Sequence, residues 1–344
     1  MSPESPLLSI TIPSWNRARF LQRTLQQLCA ELRDRDDVEV LVSDNCSPDD
    51  TPAVVAAAQA DGLPVRYVRN ASNIGSDANI AQCFNMARGD YVLLLGDDDL
   101  PVDGALAALL AHLETRRYGV VCLRAYGFEA DFRKECPQTS AREHRFERGG
   151  AFLAAIGQRM TLISSCVVGK CFIPHLNANQ FCGGNLVQVH LVLQAALAAG
   201  HNLFLDQYLI ACQRNNSGGY NFAQVFVTRF GEALDNYRCA DFGDEDIRTI
   251  ERRMMIGYYP FYLFRQRLGR EGDPEASHAT FAARFRSRWL FRFWLAPILL
   301  LPRPLALAWG GFATFTGRLL IGDLQRGVAF AWHRLMQRLA PRSA

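Results

Sequence analysis

Four short apolar segments, spaced at intervals of roughly 25 residues, constrain the fold of this chain more than any other feature of its sequence. They are rich in the residue types of buried strands and cover residues 7–12, 38–43, 65–69 and 91–95. The segments between them are predicted helices: one with the stripe formed by Leu21, Leu25, Leu28 and Leu32, the alanine-rich segment 51–60, and residues 77–88. Strands that alternate with amphipathic helices predict an α/β fold with a doubly wound, mostly parallel sheet.

Polar, charged or turn-forming residues follow each of the four predicted strands. Since parallel α/β sheets bind ligands beyond the carboxyl ends of their strands, we expect these residues to converge on one site. They are Pro13, Ser14, Trp15, Asn16 and Arg17 after the first strand, Asp44 and Asn45 after the second, Asn73 and Gly75 after the third, and Asp97, Asp98 and Asp99 after the fourth.

Three adjacent aspartates, Asp97, Asp98 and Asp99, form the most specific motif. Their carboxylates repel one another unless a cation or a polar network compensates the charge. Mg²⁺ or Mn²⁺ meets this need, because either ion binds carboxylate and phosphate oxygens together. The alternative is a solvated acidic turn or a helix start, where Asp is common. Combined with the other three loops, the motif predicts a metal and diphosphate site, with Asp97 and Asp99 as metal ligands.

The other loops supply candidate contacts to a nucleotide. Asp44 is suited to accept hydrogen bonds from a nucleobase or a ribose, and residues 13–17 could frame the base. For Arg17 the alternative is a surface residue that begins the next helix. Asn73 and Gly75 permit a tight turn in which the backbone approaches a phosphate.

These four motifs, in this order and at this spacing, resemble family 2 glycosyltransferases with the Rossmann-like GT-A fold over about residues 7–215. The resemblance implies a nucleotide-diphosphate sugar as donor, with Asp44 at the base, Asp97 at the ribose or metal, and Asp99 at the metal. The chain departs from the family's Asp-x-Asp-Asp motif, since Gly96 stands at its first position. Which carboxylate has which role is therefore left open.

The acceptor side departs further from the family pattern. Val187 and Gln188 stand where family members place a Glu-Asp pair that supplies the general base for inverting transfer. This variant resembles the branch that contains O-antigen abequosyltransferases, which use cytidine-diphosphate dideoxyhexoses. That resemblance implies retention of configuration. The resulting hypothesis is front-face transfer, with the leaving diphosphate as base and Asn185 or Gln188 steadying the sugar. His190 is the rival base, or else a packed core histidine.

Arg214 follows a predicted strand at residues 203–212 and opens a loop rich in Gly and Asn. A cation there is suited to close over the diphosphate and stabilise leaving-group charge. The alternative is an ordinary surface arginine.

The pattern divides the chain into three regions. Residues 1–220 form the predicted GT-A domain, with a nucleotide-binding half at 1–125 and an acceptor-side half at 126–220. A helical extension covers 221–283, and a basic amphipathic region covers 284–344. Further expected elements are helices at 104–115, 151–158 and 185–199, strands at 119–124 and 162–168, an irregular segment at 127–148, a helical region at 222–267 and a linker at 269–278.

The last region combines ten arginines with one acidic residue, Asp323, and with two long apolar runs at 289–301 and 305–316. Both runs are too short to span a bilayer, which takes about 20 residues, and prolines interrupt them. Tryptophans among arginines instead favour helices that lie at a membrane surface. A packed helical subdomain or a homodimer interface is the alternative. Nucleic acid is disfavoured, because the arginines alternate with apolar rather than polar residues.

We therefore expect a metal-dependent glycosyltransferase at the cytoplasmic face of a bacterial inner membrane, as a peripheral or monotopic protein. Its acceptor would be a polyprenyl-diphosphate-linked oligosaccharide of O-antigen or lipopolysaccharide biosynthesis. The N-terminus lacks the pattern of a signal peptide, and the ten scattered cysteines favour reduced thiols. A sugar nucleotidyltransferase is one alternative, although it would need a glycine-rich basic loop after the first strand. A non-catalytic membrane-bound scaffold is the other.

Overall fold

A computed structural model describes residues 5–33, 35–137, 141–214, 221–269 and 273–321. The chain forms two compact units. The first takes residues 1–220 and 233–246, and the second takes residues 221–232 and 247–344.

The first unit contains one mixed sheet. Its strands are β1 (Leu8–Ser14), β2 (Val38–Asp44), β3 (Val65–Arg69), β4 (Tyr91–Leu94), β5 (Asp99–Pro101), β6 (Val120–Phe128), β7 (Glu143–Phe146), β8 (Cys166–Gly169) and β9 (Asn202–Gln213). The sheet order is β3-β2-β1-β4-β8-β6-β9-β5, and β7 pairs with β9. The helices between the strands are α1 (Ala18–Glu31), α2 (Thr51–Ala60), α3 (Ser76–Met86), α4 (Ala105–Thr115), α5 (Gly149–Ile156) and α6 (Val187–Ala198).

The nucleotide-binding half has the predicted doubly wound arrangement. Strands β1 to β4 pair in parallel, in the order β3-β2-β1-β4, and the predicted strand at 65–69 and helix at 51–60 have the observed bounds. The strand order reverses between β1 and β4, which is where such sheets open a crevice for a ligand. In this half of the chain the prediction of an α/β fold is confirmed.

Strands β1, β2 and β4 of this half are buried on both faces, as expected for a parallel sheet covered by helices, whereas the edge strand β3 is only partly buried. On β1 the residues from Leu8 to Ile12 are fully buried, and Ile10 lies in register with Val40 of β2 and Leu93 of β4. This packing fixes the strand ends, and so it fixes the positions of the loops that follow them.

The second half of the sheet differs from the prediction in three places. The strand expected at 162–168 begins only at Cys166, since the hydroxyl of Ser165 donates to the carbonyl of Leu162 at 2.9 Å and the chain forms 3₁₀ turns there. Residues 127–148 are not wholly irregular, because they contain β7 and the last residues of β6. The three-residue strand β5, which pairs antiparallel with β9, was too short to give a sequence pattern.

The later part of the chain is helical. Its helices are α7 (Phe230–Asn236), α8 (Asp244–Arg253), α9 (Tyr259–Gly269), α10 (Pro274–Phe285), α11 (Ala296–Leu300) and α12 (Arg303–Leu320), with π-helical turns at Gln224–Arg229, Met254–Tyr258 and Phe291–Leu295. The linker predicted at 269–278 is wrong from residue 274 onward, where α10 begins. The side chain of Asp273 caps that helix by accepting from the backbone N–H of Glu275 at 2.8 Å, and Pro274 occupies its first turn.

Helix α12 has its large and small apolar residues on opposite faces. Its buried stripe consists of Ala306, Gly310, Ala313 and Gly317, whereas Leu305, Phe312, Phe315 and Leu319 on the other face are each about half exposed or more. In the part of the chain that the structure describes, no helix has both the length and the apolar character needed to cross a membrane.

Two arginines of the basic region, Arg284 and Arg288, form ion pairs with a buried residue of the second unit. The buried carboxylate of Glu251 accepts a hydrogen bond from Arg284 Nε at 2.6 Å and another from Arg288. These arginines compensate a buried negative charge, and so they are not part of an exposed basic surface.

Candidate active site

The carboxylate of Asp97 lies between residues of the loop after β1. Ser14 donates from Oγ to Asp97 Oδ2 at 2.8 Å, and Arg17 Nε is 3.1 Å from Asp97 Oδ1. Asp97 is 5% exposed, and the hydroxyl of Thr24 on α1 donates to its backbone carbonyl at 2.9 Å. The acidic motif is therefore not a solvated turn.

Asp98 forms an ion pair with Arg17, the same arginine that contacts Asp97. Arg17 Nη2 donates to Asp98 Oδ2 at 2.7 Å, so one guanidinium bridges two adjacent carboxylates. The ring of Phe20 lies 5.1 Å from the same guanidinium. Arg17 therefore compensates part of the negative charge of the motif from a position at the N-terminus of α1.

Asp99 begins β5 and is held from the second half of the sheet. The hydroxyl of Ser164 donates to Asp99 Oδ2, and the backbone N–H of Gly96 donates to Ser164 Oγ at 2.8 Å. Cys212 of β9 is the register partner of Asp99. A Cβ at position 96 would lie 2.9 Å from Asp99 Oδ2, so glycine at this position leaves room for the carboxylate. This contact gives a physical reason for the departure from the usual acidic residue there.

Burial raises the pKa of both Asp97 and Asp99. It raises the pKa of Asp97 to about 7, against the opposing effects of Arg17 and Ser14. It also raises the pKa of Asp99 to about 6, with a further increase from the neighbouring charge of Asp98. Both groups thus bind a proton at mildly acidic pH unless a cation replaces it.

Backbone hydrogen bonds tie the loop after β1 to the loop after β2. The N–H of Asn16 donates to Ser47 Oγ at 2.9 Å, and the N–H of Ala18 donates to Asp49 Oδ2 at 2.8 Å. Asn16 has a φ of 55°, a left-handed conformation that asparagine adopts more readily than most residues. Trp15 is 49% exposed beside it, and Pro13 is partly buried.

Asn45 joins the loop after β2 to the loop after β3. Its Nδ2 donates to Asn73 Oδ1 at 2.8 Å, and its Oδ1 accepts from the N–H of Ile74 at 2.9 Å. Gly75 follows with a φ of 86°, which requires glycine in practice, and its N–H donates to Asn73 Oδ1 at 2.9 Å. Together with the contacts of Ser14 and Arg17, these bonds confirm that the four loops converge on one edge of the sheet.

Asp44 is fully buried, and its carboxylate already has partners within the chain. It accepts from the N–H of Ser47 at 2.8 Å and from the hydroxyl of Tyr67 at 2.6 Å, while Arg69 Nε lies 3.3 Å away. Burial and this carboxylate raise the pKa of Tyr67, which therefore remains a donor. Arg69 is the more exposed partner, and it extends the Asp44 site towards the surface.

The three acceptor-side candidates lie at the N-terminus of α6 and in its first turn. The exposed Asn185 has a φ of 56°, and its N–H donates to Asp77 Oδ2 at 2.9 Å. Gln188 is 9% exposed and donates from Nε2 to the carbonyl of Thr161 at 2.8 Å.

His190 is stacked on Phe181 at 4.6 Å between ring centroids, and burial lowers its pKa. The imidazole is therefore neutral at physiological pH. Its buried Nδ1 has no hydrogen-bond partner among the described residues.

Arg214 directly follows β9, two residues beyond the register partner of Asp99. Its Nη1 is 3.7 Å from Glu135 and 3.9 Å from Glu129, and its backbone N–H donates to the carbonyl of Phe128 at 2.9 Å. The loop that was expected to close over the diphosphate, residues 215–220, lies outside the described residues.

The acidic motif fits a divalent cation chemically. Within the described ranges there is no group of three or more His, Cys, Asp or Glu side chains arranged to hold a metal. A Mg²⁺ or Mn²⁺ site that is completed by phosphate needs only one or two carboxylates, however. The carboxyl groups of Asp97 and Asp99 are suited to be these metal ligands, because their burial disfavours a negative charge that no cation compensates.

The sequence pattern did not indicate Thr24, Tyr67, Arg69 or Ser164. Tyr67 and Arg69 lie on the alternating positions of β3 and pair in parallel with β2, so their approach to Asp44 follows from the register alone. Ser164 gave no such signal, because it comes from a turn that the sequence pattern presents as a strand.

Comparison with known proteins agrees with this geometry. The sequence model of a family described as "Glycosyl transferase family 2" matches residues 9–172. Abequosyltransferase RfbV of Salmonella typhimurium is 31% identical over 119 residues, which cover 34% of this chain and 36% of the relative. A GalNAc(5)-diNAcBac-PP-undecaprenol beta-1,3-glucosyltransferase of Campylobacter jejuni is 34% identical over 106 residues, covering 30% and 34% respectively. The chain thus spans about a third of the length of these curated relatives.

Solved structures share the fold over almost the whole chain. S. aureus TarS 1-349 in complex with UDP-GlcNAc matches with a TM-score of 0.62 at 14% identity, covering 91% of each chain. The mannosyltransferase PcManGT of Pyrobaculum calidifontis, in complex with GDP-Man and Mn²⁺, matches with a TM-score of 0.54 at 16% identity and covers 99% of this chain and 89% of the other. At these identities the likeness concerns the fold.

Proposed function

We propose that this chain, which carries a family 2 glycosyltransferase domain over residues 9–172, transfers a sugar from a nucleoside-diphosphate donor in the synthesis of a bacterial polysaccharide. The observation that carries the proposal is the position of Asp97 and Asp99. Both carboxylates are buried in the segment that follows β4, and each accepts a hydrogen bond from a hydroxyl group, Asp97 from Ser14 and Asp99 from Ser164. Buried carboxylates at this edge, which Arg17 compensates only in part, are suited to a cation and a diphosphate.

In this proposal different side chains bind the cation and the phosphates of the donor. A bound Mg²⁺ or Mn²⁺ supplies positive charge that stabilises the departing diphosphate. Asp97 and Asp99 would hold that ion, and Ser14 and Ser164 keep their carboxylates in place. Arg17 and Arg214 are two cations near this edge that are suited to the phosphate oxygens.

The remaining loop residues would bind the nucleoside. Asn45, Asn73 and Gly75 form one hydrogen-bonded turn after β2 and β3, and Arg69 is exposed beside the buried Asp44. Trp15 is exposed in the loop after β1. The base and ribose would lie against this surface. The favoured donor is a cytidine-diphosphate deoxyhexose, which the similarity to abequosyltransferase RfbV supports.

A melting experiment tests the donor site. Binding to the folded state raises the melting temperature by mass action, so we compare CDP, UDP, GDP and dTDP with and without Mn²⁺. We expect CDP with Mn²⁺ to give the largest increase, and Asp99→Asn to abolish the part of the increase that depends on Mn²⁺. If none of the four diphosphates changes the melting temperature, the proposed donor site is wrong.

The transfer step proceeds with retention in this proposal. Val187 and Gln188 supply no carboxylate at the start of α6, so the acceptor proton goes to an oxygen of the leaving diphosphate on the same face. Gln188 is anchored to Thr161, and with Asn185 it would steady the sugar. His190 is the rival base. NMR of the product's anomeric centre decides between them, because an inverted linkage would require a base such as His190.

The proposed acceptor is a polyprenyl-diphosphate-linked oligosaccharide at the cytoplasmic face of the inner membrane. The name of the Campylobacter relative contains an undecaprenol-linked acceptor, which supports this choice. Helix α12 supports a membrane surface as partner, because its outer face exposes Phe312 and Phe315, which would bury apolar area in a lipid interface. A homodimer interface on the same face is the alternative.

A further inference from the structure

Arg17 occupies a position that a divalent cation would also favour. Its guanidinium lies 3.1 Å from a carboxylate oxygen of Asp97 and 2.7 Å from one of Asp98. The arginine side chain is 30% exposed, whereas that of Asp97 is 6% exposed. The arginine is therefore partly open to solvent, whereas the aspartate is enclosed.

The two contacts of Arg17 differ in kind. The Nη2 group makes a hydrogen bond to Asp98, whereas the buried Nε–H has no acceptor in hydrogen-bond geometry among the described residues. Attraction between the charges therefore accounts for the contact with Asp97. Ser14 holds the other oxygen of that carboxylate at 2.8 Å, so Asp97 keeps its orientation when the guanidinium leaves.

We propose that Arg17 couples the binding of the divalent cation to the binding of the nucleoside diphosphate. In the empty site its guanidinium compensates Asp97 and Asp98, and a free cation must displace it. The displaced guanidinium then lies next to a like charge and has lost its carboxylate partners. A diphosphate supplies new oxygen partners for it, and so removes the cost of the displacement.

Thermodynamic linkage gives this proposal a specific signature. Arg17 weakens the binding of the cation alone and strengthens the binding of the diphosphate, so the two ligands raise each other's affinity by the same factor. The inference rests on the proposed donor site. It adds that loss of Arg17 changes the two affinities in opposite directions, whereas a merely structural role for Arg17 would weaken both.

The experiment measures the affinity for Mn²⁺ by electron paramagnetic resonance with and without CDP, and the affinity for CDP by calorimetry in Mn²⁺. For Arg17→Gln we expect Mn²⁺ alone to bind roughly three- to tenfold more tightly, and CDP to bind more weakly by a similar factor. Arg19→Gln is the matched control, because Arg19 is an exposed residue of the same helix, and it should change neither affinity.

Three results would overturn the inference. Both affinities of Arg17→Gln could fall together, or both could equal those of the unaltered chain, and in these cases the donor site itself stands. If the unaltered chain binds no CDP, UDP, GDP or dTDP in Mn²⁺, the proposed function fails as well. Should Arg17→Gln unfold, Arg17→Lys replaces it, since an ammonium group cannot form the two-pronged bridge and should show the same changes to a smaller degree.

Discussion

Ser14 and Ser164 perform the same task from distant parts of the sequence. Each donates a hydroxyl hydrogen bond to a buried carboxylate, Ser14 to Asp97 and Ser164 to Asp99. These bonds fix the carboxylates in orientation and partly offset the cost of their burial. The chemistry of the site thus depends on residues outside the acidic motif as well as on the motif.

The hydroxyl of Ser164 should matter for metal binding. For Ser164→Ala we expect roughly tenfold weaker binding of Mn²⁺ in the presence of CDP, because Asp99 loses the group that orients it. Ser165→Ala is the control, since that neighbouring hydroxyl bonds to the backbone carbonyl of Leu162. It should cost about 1 kcal/mol of stability and leave the Mn²⁺ affinity unchanged. If the two variants bind Mn²⁺ with equal affinity, Ser164 has no specific role in metal binding.

The raised pKa values predict how the site responds to pH. Because the pKa of Asp97 is about 7 and that of Asp99 about 6, protons compete with Mn²⁺ below neutrality. We expect the affinity for Mn²⁺ to fall roughly tenfold per pH unit between about pH 7 and about pH 6, and more steeply below that. Titrations with Mn²⁺ at several pH values measure this, and an affinity independent of pH over this range would contradict it.

The same shifts act on the stability of the metal-free chain. The folded state binds these protons more tightly than the unfolded state, in which an Asp has an ordinary pKa of about 4. Their contribution to stability is therefore complete below about pH 4 and is lost as the pH rises through about 7. In Asp97→Asn the share of this pH dependence that comes from Asp97 should disappear from urea unfolding curves, whereas the share from Asp99 remains.

At the scale of elements, helix α12 depends on glycine where it packs most closely. A Cβ on Gly317 would lie 1.9 Å from the backbone carbonyl oxygen of Ile256, whereas a Cβ on Gly311 would have its nearest neighbour at 3.9 Å. The helix therefore tolerates a side chain at one of these positions and not at the other.

These two glycines give a matched pair of substitutions. We expect Gly317→Ala to destabilise the chain by about 2 kcal/mol or more, because backbone must move to admit the methyl group. Gly311→Ala should stabilise it by about 0.5–1 kcal/mol, since alanine favours the helix. Thermal unfolding of the two variants measures the difference. Similar melting temperatures for the two variants would show that Gly317 is not packed this closely against Ile256.

The elements that were predictable from the sequence are those with a long, regular pattern. Strand β3 and helix α2 have the predicted bounds, and the polar loops after β1 to β4 do converge. The three residues of β5 are too few to show a period, and the apolar run before Cys166 does not reveal that Ser165 bends it. Long-range partners such as Ser164 depend on tertiary packing, so no local pattern indicates them.

At the scale of the whole molecule, the basic and apolar residues collect at one end of the sequence. Apart from Arg284 and Arg288, which pair with Glu251, residues 284–344 contain eight arginines and one acidic residue, and many of the exposed large apolar side chains lie between residues 289 and 320. A chain that acts on a lipid-linked acceptor would use such a region to stay at an anionic membrane surface.

Vesicle flotation tests whether this chain binds to a membrane surface. The unaltered chain should float with phosphatidylglycerol vesicles more than with phosphatidylcholine vesicles, because arginines favour anionic lipid. A double variant, Phe312→Ser with Phe315→Ser, should bind at least roughly tenfold more weakly, whereas Ala308→Ser on the same exposed face should not. If the double variant binds vesicles normally but changes from a dimer to a monomer, the face is a homodimer interface instead.

The central claim, that Asp97 and Asp99 bind a cation together with a diphosphate, is tested most directly by locating that cation. Crystals grown with Mn²⁺ and CDP, measured at a wavelength where manganese scatters anomalously, show its position independently of any mechanism. We predict one strong peak about 2 Å from a carboxylate oxygen of Asp99 or Asp97, with diphosphate oxygens on its other side. A diphosphate bound away from this edge of the sheet, or a manganese peak remote from both aspartates, would contradict the claim.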